Sequence, residues 1–116
     1  MRILIADQMN ADRELLKVIC RGHRINEAKH STEALRLGDK VDIIFTDIGF
    51  PGLAGKEYIT ALKRRTIAKI IIVTAYADYE DTRVDHIFYK PINRKQITEI
   101  INSYDKTKTS ARTDEK

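Results

Sequence analysis

The sequence predicts an α/β fold, a doubly wound five-stranded parallel sheet with helices on both faces. Three observations lead there. Four short runs are rich in Ile and Val and lack polar alternation, as strands buried on both faces must be. Segments of helical period separate them. A chain of 116 residues, 42% hydrophobic and 33% charged, fits one ordinary globular domain, with too little length for a second.

The buried runs are "ILIA" (3 to 6), "VDIIFT" (41 to 46), "KIIIVTA" (69 to 75) and "HIFY" (86 to 89), and a weaker strand, "HRINEA" (23 to 28), falls between the first two. Among the helical segments, "NRKQITEIINSY" spaces Ile97, Ile100, Ile101 and Tyr104 on one face. Asn93 and Gln96 have capping-box spacing at its start, just after Pro91. Residues 10 to 21 are expected to turn Leu15, Leu16 and Ile19 inward, and residues 56 to 65 Tyr58, Ile59 and Leu62. "STEALRLG" has a serine start and a glycine stop, enough for about two turns. The weakest segment is "YADYEDTRVD" (76 to 85), with one aliphatic residue and acids that compete for caps and turns; it supports a turn or two of helix at best. Residues 1 to 104 therefore form the domain. Residues 105 to 116, "DKTKTSARTDEK", offer nothing larger than Ala to bury and read as a disordered polar tail.

No apolar stretch approaches the roughly 18 residues of a membrane span, and "MRILIAD" runs into an acid instead of a cleavable signal, so a cytoplasmic location is expected. Cys20 is the single cysteine and reads as a small buried hydrophobe. The net charge of +4 is densest at "CRGHR" and "LKRR", without aromatic interleaving, a helix-turn-helix pattern or zinc spacing; solvated helix faces explain it better than nucleic acid does. His23, His30 and His86 show no ligand spacing. "GFPGLAG" lacks the lysine and hydroxyl residue of a phosphate-gripping nucleotide loop.

Sheets of this kind place their chemistry at the carboxyl ends of the strands. Those ends carry Asp7 and Gln8, then Asp47, then Thr74 and Ala75, then Lys90 and Pro91. Each has an ordinary structural explanation alone. Together, a carboxylate pair, a hydroxyl and an ammonium on one rim make a workable phosphoryl-transfer site.

In order and spacing, "ILIADQMNADRELL", "EAKHSTEAL", "VDIIFTDIGFPGLAGKE", "IIIVTAYAD" and "YKPIN" resemble the receiver domain of two-component response regulators, over nearly the whole ordered chain. The resemblance implies a flavodoxin-like (βα)5 sheet in strand order 2-1-3-4-5, here with a short or missing fourth helix. It implies that Asp47 is the phosphoacceptor, that Asp7 and Asp47 hold Mg²⁺ with the Gly49 carbonyl oxygen, that Thr74 contacts the phosphoryl group and that Lys90 is the family's lysine. Pro91 would follow it in a cis peptide. A histidine kinase or phosphotransfer protein would donate the phosphoryl group to this non-enzymatic module, and an unknown downstream protein would read the signal. No effector domain is expected after residue 104.

Two departures qualify the resemblance. Gln8 stands where receivers carry a second metal-binding acid, so Asp7, Asp47 and Lys90 sum to −1 instead of −2. One unit charge lost about 4 Å from a cation forfeits up to about 4 kcal/mol at an effective dielectric near 20. The amide oxygen of Gln8 remains a ligand, and weak Mg²⁺ binding is the expectation. A phosphorylation-independent pseudo-receiver, acting as a protein-binding module, is the alternative. The second departure is Ile87, which occupies the switch position where receivers commonly turn an aromatic residue inward with the threonine. Tyr76, two residues past Thr74, either screens an acyl phosphate from water or packs as a half-exposed aromatic.

Overall fold

The computed structural model describes residues 1–105. The expected tail, apart from Asp105, lies outside the described residues. Five strands, β1 (Arg2–Ala6), β2 (Arg24–Ala28), β3 (Ile43–Thr46), β4 (Lys69–Thr74) and β5 (His86–Tyr89), form one parallel sheet in the order β2-β1-β3-β4-β5. Four helices connect or follow them: α1 (Asn10–Ile19), α2 (Ser31–Leu37), α3 (Gly55–Arg65) and α4 (Arg94–Tyr104). None is long and apolar enough to cross a membrane.

Alternation along the strands divides the core in two, since successive side chains point to opposite faces. Leu4, Ala6, Ile44, Ile70 and Ile72 meet Ala34 of α2 and Tyr58, Ile59 and Leu62 of α3. Ile3, Ile5, Phe45, Ile71 and Val73 meet Leu16 and Cys20 on the α1 side and Ile97 and Ile101 of α4. Burying each such aliphatic or aromatic side chain contributes about 1.5–3 kcal/mol relative to exposure. The three central strands therefore anchor everything attached to their ends. Cys20 is wholly buried, and desolvation pushes its thiol up to about 12, so it packs as a hydrophobe.

Several local expectations need correction. Leu15 is 40% exposed, because α1 is rotated to bury Arg13 and Leu16. A buried arginine is tolerable here because each of its three guanidinium nitrogens donates a hydrogen bond. The serine of "STEALRLG" is not a cap: His30 precedes the helix without a side-chain cap, Ser31 is the first, buried turn, and Gly38 continues at φ −67° into a 3₁₀ turn, Gly38–Lys40. Lys29 N–H is instead accepted by the Glu33 carboxylate at 2.9 Å. At α4, the Asn93 side chain accepts from Gln96 N–H as its spacing predicts.

Residues 76–85 form turns and no helix. Their polar side chains spend themselves on local bonds: Asp81 accepts from Arg83 and from the Tyr79 hydroxyl, and Asp85 accepts from Ile70 N–H. The segment is tied to α3 instead of extending as a layer. Arg83 donates to Thr60 Oγ1 at 2.6 Å and to the Lys56 carbonyl at 3.2 Å, and the Lys56 ammonium donates to the Glu80 carbonyl. In consequence β5, the edge strand of this order and expected to be covered on both faces, has His86, Ile87 and Phe88 only partly buried and Tyr89 exposed.

Candidate functional site

Each site residue sits where an apolar strand ends, so rigid backbone sets its position. Asp7 follows β1, and its N–H continues the sheet ladder to the Ala28 carbonyl at 3.0 Å; Asp47 follows β3, and its N–H reaches the Ala6 carbonyl at 2.9 Å. Lys90 follows β5, with its N–H on the Thr74 carbonyl at 2.7 Å. The Lys90–Pro91 peptide is cis.

The side chains converge. The Lys90 ammonium donates to Asp7 Oδ2 at 2.9 Å and to Asp47 Oδ2 at 3.0 Å, and it lies 2.7 Å from Asp12 Oδ2. The remaining oxygens of two acids are bonded as well: Asp7 Oδ1 accepts from Met9 N–H at 2.8 Å and Asp47 Oδ1 from Ile48 N–H at 2.7 Å. These bonds fix both carboxylates against the backbone that carries them. Behind the acceptor acid, Thr46 Oγ1 donates to the Asp47 carbonyl oxygen and pairs with the Tyr58 hydroxyl, locking the end of β3 to α3.

Burial raises the Asp7 pKa above the ordinary carboxylate value, outweighing the opposing pull of Lys90 and the Met9 amide. Burial alone would lower the lysine; its bonds to Asp12, Asp7 and Asp47 overcome that and hold Lys90 above the usual lysine range, firmly charged. The site is thus a desolvated cation in a ring of three acids.

Asp12 and Arg13 escaped the sequence reading. Asp12, in the first turn of α1, has the ordinary explanation of an acid favoured by a helix N-terminus, which hides its contact with a lysine from the other end of the domain. Arg13 carried no signal beyond its place in a helix. It is 3% exposed, and Nη1 donates to the carbonyls of Asp7 and Gln8 at 2.8 and 3.4 Å, while Nη2 donates to Asn10 Oδ1 and Nε to Glu27 Oε1. It holds the loop that aims Asp7.

Asp7, Gln8, Asp12, Asp47, Gly49 and Lys90 share the lining of a cavity of about 360 Å³ with Met9, Phe50, Ala75 and Tyr76. Thr74 is not in that lining: it is fully buried, and its hydroxyl accepts from Tyr76 N–H at 3.3 Å. Ile87 lies partly buried in the layer that contains Tyr79 and Val84. Tyr76 is half-exposed and lies over Gly49 so closely that a Cβ there would come within 2.8 Å of its ring; glycine permits that approach.

Among the described residues no group of three His, Cys, Asp or Glu side chains could hold a metal by itself. What the cavity offers is two rigid carboxylates, an exposed Gln8 and the Gly49 backbone. Such hard oxygen donors at the wall of an open cavity suit Mg²⁺, which retains several waters and needs few protein ligands.

Comparison with known proteins identifies the family of the fold. The model of the response regulator receiver domain matches residues 3–102. An uncharacterised response regulatory protein of Vibrio cholerae is 28% identical over 109 residues, covering 85% of this chain and 46% of that protein. The transcriptional regulatory protein YdfI of Bacillus subtilis is 32% identical over 97 residues, covering 78% and 43%. The chain spans less than half the length of these curated relatives. Among solved structures, a CheY-like receiver domain protein from Methanospirillum hungatei superposes with a TM-score of 0.78 at 27% identity, covering 95% of this chain and 97% of that one. A receiver domain from Clostridium thermocellum shares the fold at the same score and 23% identity. Matched by the family model from the first strand into the last helix, the chain belongs to the response regulator receiver domain family.

Proposed function

We propose that this domain is a phosphorylatable switch, in which Asp47 accepts a phosphoryl group from a phosphohistidine of a kinase or phosphotransfer protein and the change is passed on through protein contacts. The observation that carries the reading is the Lys90 ammonium held 3.0 Å from Asp47 Oδ2 and 2.9 Å from Asp7 Oδ2. A carboxylate attacks phosphorus only when the charge on both reactants is neutralised, and the ammonium supplies part of that neutralisation. An Asp47 oxygen forms the new P–O bond as the P–N bond to the donor imidazole breaks. Asp7, Asp47, the Gln8 amide oxygen and the Gly49 carbonyl are the groups that would hold Mg²⁺, which when bound supplies further positive charge to the phosphoryl oxygens.

The remaining residues serve the transfer in ways their positions support. Ile48 N–H orients the Asp47 carboxylate, and Tyr76, over Gly49, is placed to limit access of water to an acyl phosphate. The Thr74 hydroxyl accepts from Tyr76 N–H and keeps its own proton to donate to the new phosphoryl oxygens, so turning toward them would couple phosphorylation to the start of the 76–85 segment. A second reading, a pseudo-receiver that works without phosphate, is favoured by Gln8 alone. Incubation with acetyl phosphate and Mg²⁺ followed by intact mass measurement separates the two. The expected result is a single phosphoryl adduct on the wild type and none on Asp47→Ala; an unmodified wild type would establish the pseudo-receiver.

A further inference from the structure

We infer that Asp12 takes over the charge that Gln8 removed: it is the positioning acid that holds Lys90 while Asp7 and Asp47 serve a divalent cation. The inference rests on the phosphoacceptor reading of this site and adds a residue to it.

Three observations meet at Asp12. Its Oδ2 makes the shortest of the three contacts with Lys90, 2.7 Å against 2.9 Å for Asp7 and 3.0 Å for Asp47. It projects from the first turn of α1 into the same cavity as Gln8, so its charge acts on whatever occupies that cavity. Its side chain is 29% exposed, against 2% and 15% for the other two acids, so it pairs with the ammonium at a smaller cost in lost hydration.

The charge count changes accordingly. Asp7, Asp47 and Lys90 sum to −1, and with Asp12 the cluster carries −2, the sum that an acid at position 8 would have produced. The functional consequence concerns competition. Oδ2 of both Asp7 and Asp47 accepts from the ammonium, and a cation drawing on those oxygens competes with it for their lone pairs. A third acid already in contact keeps Lys90 paired during that exchange; without it, the lysine loses its partners or retains them against the metal. Arg13, the next residue, fixes the α1 turn to the Asp7 and Gln8 carbonyls and so holds Asp12 at a constant offset from Asp7.

Titration of the full chain with Mg²⁺, followed by amide chemical shifts, tests the inference. Asp12→Asn should bind Mg²⁺ at least about tenfold more weakly than wild type, the usual scale for losing an outer partner of a metal site, with thermal unfolding confirming that the variant folds. Asp12→Glu should retain most of the affinity. Gln8→Asp should raise the affinity by a larger factor in the Asp12→Asn background than in the wild type, a coupling that a merely structural role for Asp12 would not produce. Equal affinity of wild type and Asp12→Asn would overturn the inference, as would an equal gain from Gln8→Asp in the two backgrounds. Acetyl phosphate labelling of the wild type keeps the two claims apart: a labelled wild type with Asp12→Asn binding unchanged defeats Asp12 alone, whereas a wild type that neither binds Mg²⁺ nor takes the label defeats both.

Discussion

Replacing Lys90 by methionine removes the ammonium and preserves most of the side-chain volume, so the change probes charge almost alone. Three carboxylates are left facing one another around an apolar tip. Each is attracted to the ammonium by about 5 to 6 kcal/mol at about 3 Å and an effective dielectric near 20, but the acids also repel one another and the lysine, 12% exposed, has surrendered most of its hydration. The net cost is therefore that of breaking a buried pair, about 3–5 kcal/mol, and the partial exposure of Asp12 and Asp47 puts it at the lower end, about 3 kcal/mol. Urea unfolding of the full chain should show a lower midpoint at unchanged slope, with Tm lower by roughly 12 °C for a domain of this size. Adding Asp7→Asn should recover part of the loss, since the two residues share one network and their effects cannot add. A loss of less than about 0.5 kcal/mol, the range of an ordinary surface substitution, would mean that the ammonium and the acids do not meet, and the site reading would fall with it.

Three further predictions follow from the fold. Arg83→Ala should release residues 76–85 from α3, seen as faster amide hydrogen exchange there than in β4. The Arg83 guanidinium holds the Asp81 carboxyl down at about 2, below the ordinary 3.8, so that pair stabilises the fold fully above about pH 4 and loses its contribution as pH falls toward 2; acid unfolding curves of wild type and Arg83→Ala should converge at the low end, and parallel curves would refute the pairing. On α1, Leu16→Ala should cost about 2–5 kcal/mol and Leu15→Ala within about 0.5 kcal/mol, measured by urea unfolding; the reverse order would mean the helix is rotated.

The sheet was readable because burial on both faces leaves no room for alternation: "IIFT" and "IIIVT" carry their own evidence, as does the Ile97 and Ile101 stripe of α4. The weakness of 76–85 was readable too, from acids that prefer turns. The rotation of α1 was not. Hydrophobic spacing places Leu15 and Leu16 inward about equally well, and the choice fell to Arg13, which can be buried only because carbonyls of Asp7 and Gln8 and the side chains of Asn10 and Glu27 absorb its donors.

By itself the sequence determined the strands, the order of acids, hydroxyl and amine along the chain, and the absence of an acid at position 8, because those depend on local composition. Only the tertiary structure decided that Asp12 reaches Lys90, that the Thr74 hydroxyl is turned to Tyr76 N–H, and that β5 is only partly covered. Those outcomes depend on helix rotation and on pairs such as Asp7 and Lys90, 83 positions apart, whose separation in space is set by packing and not by any pattern within either segment.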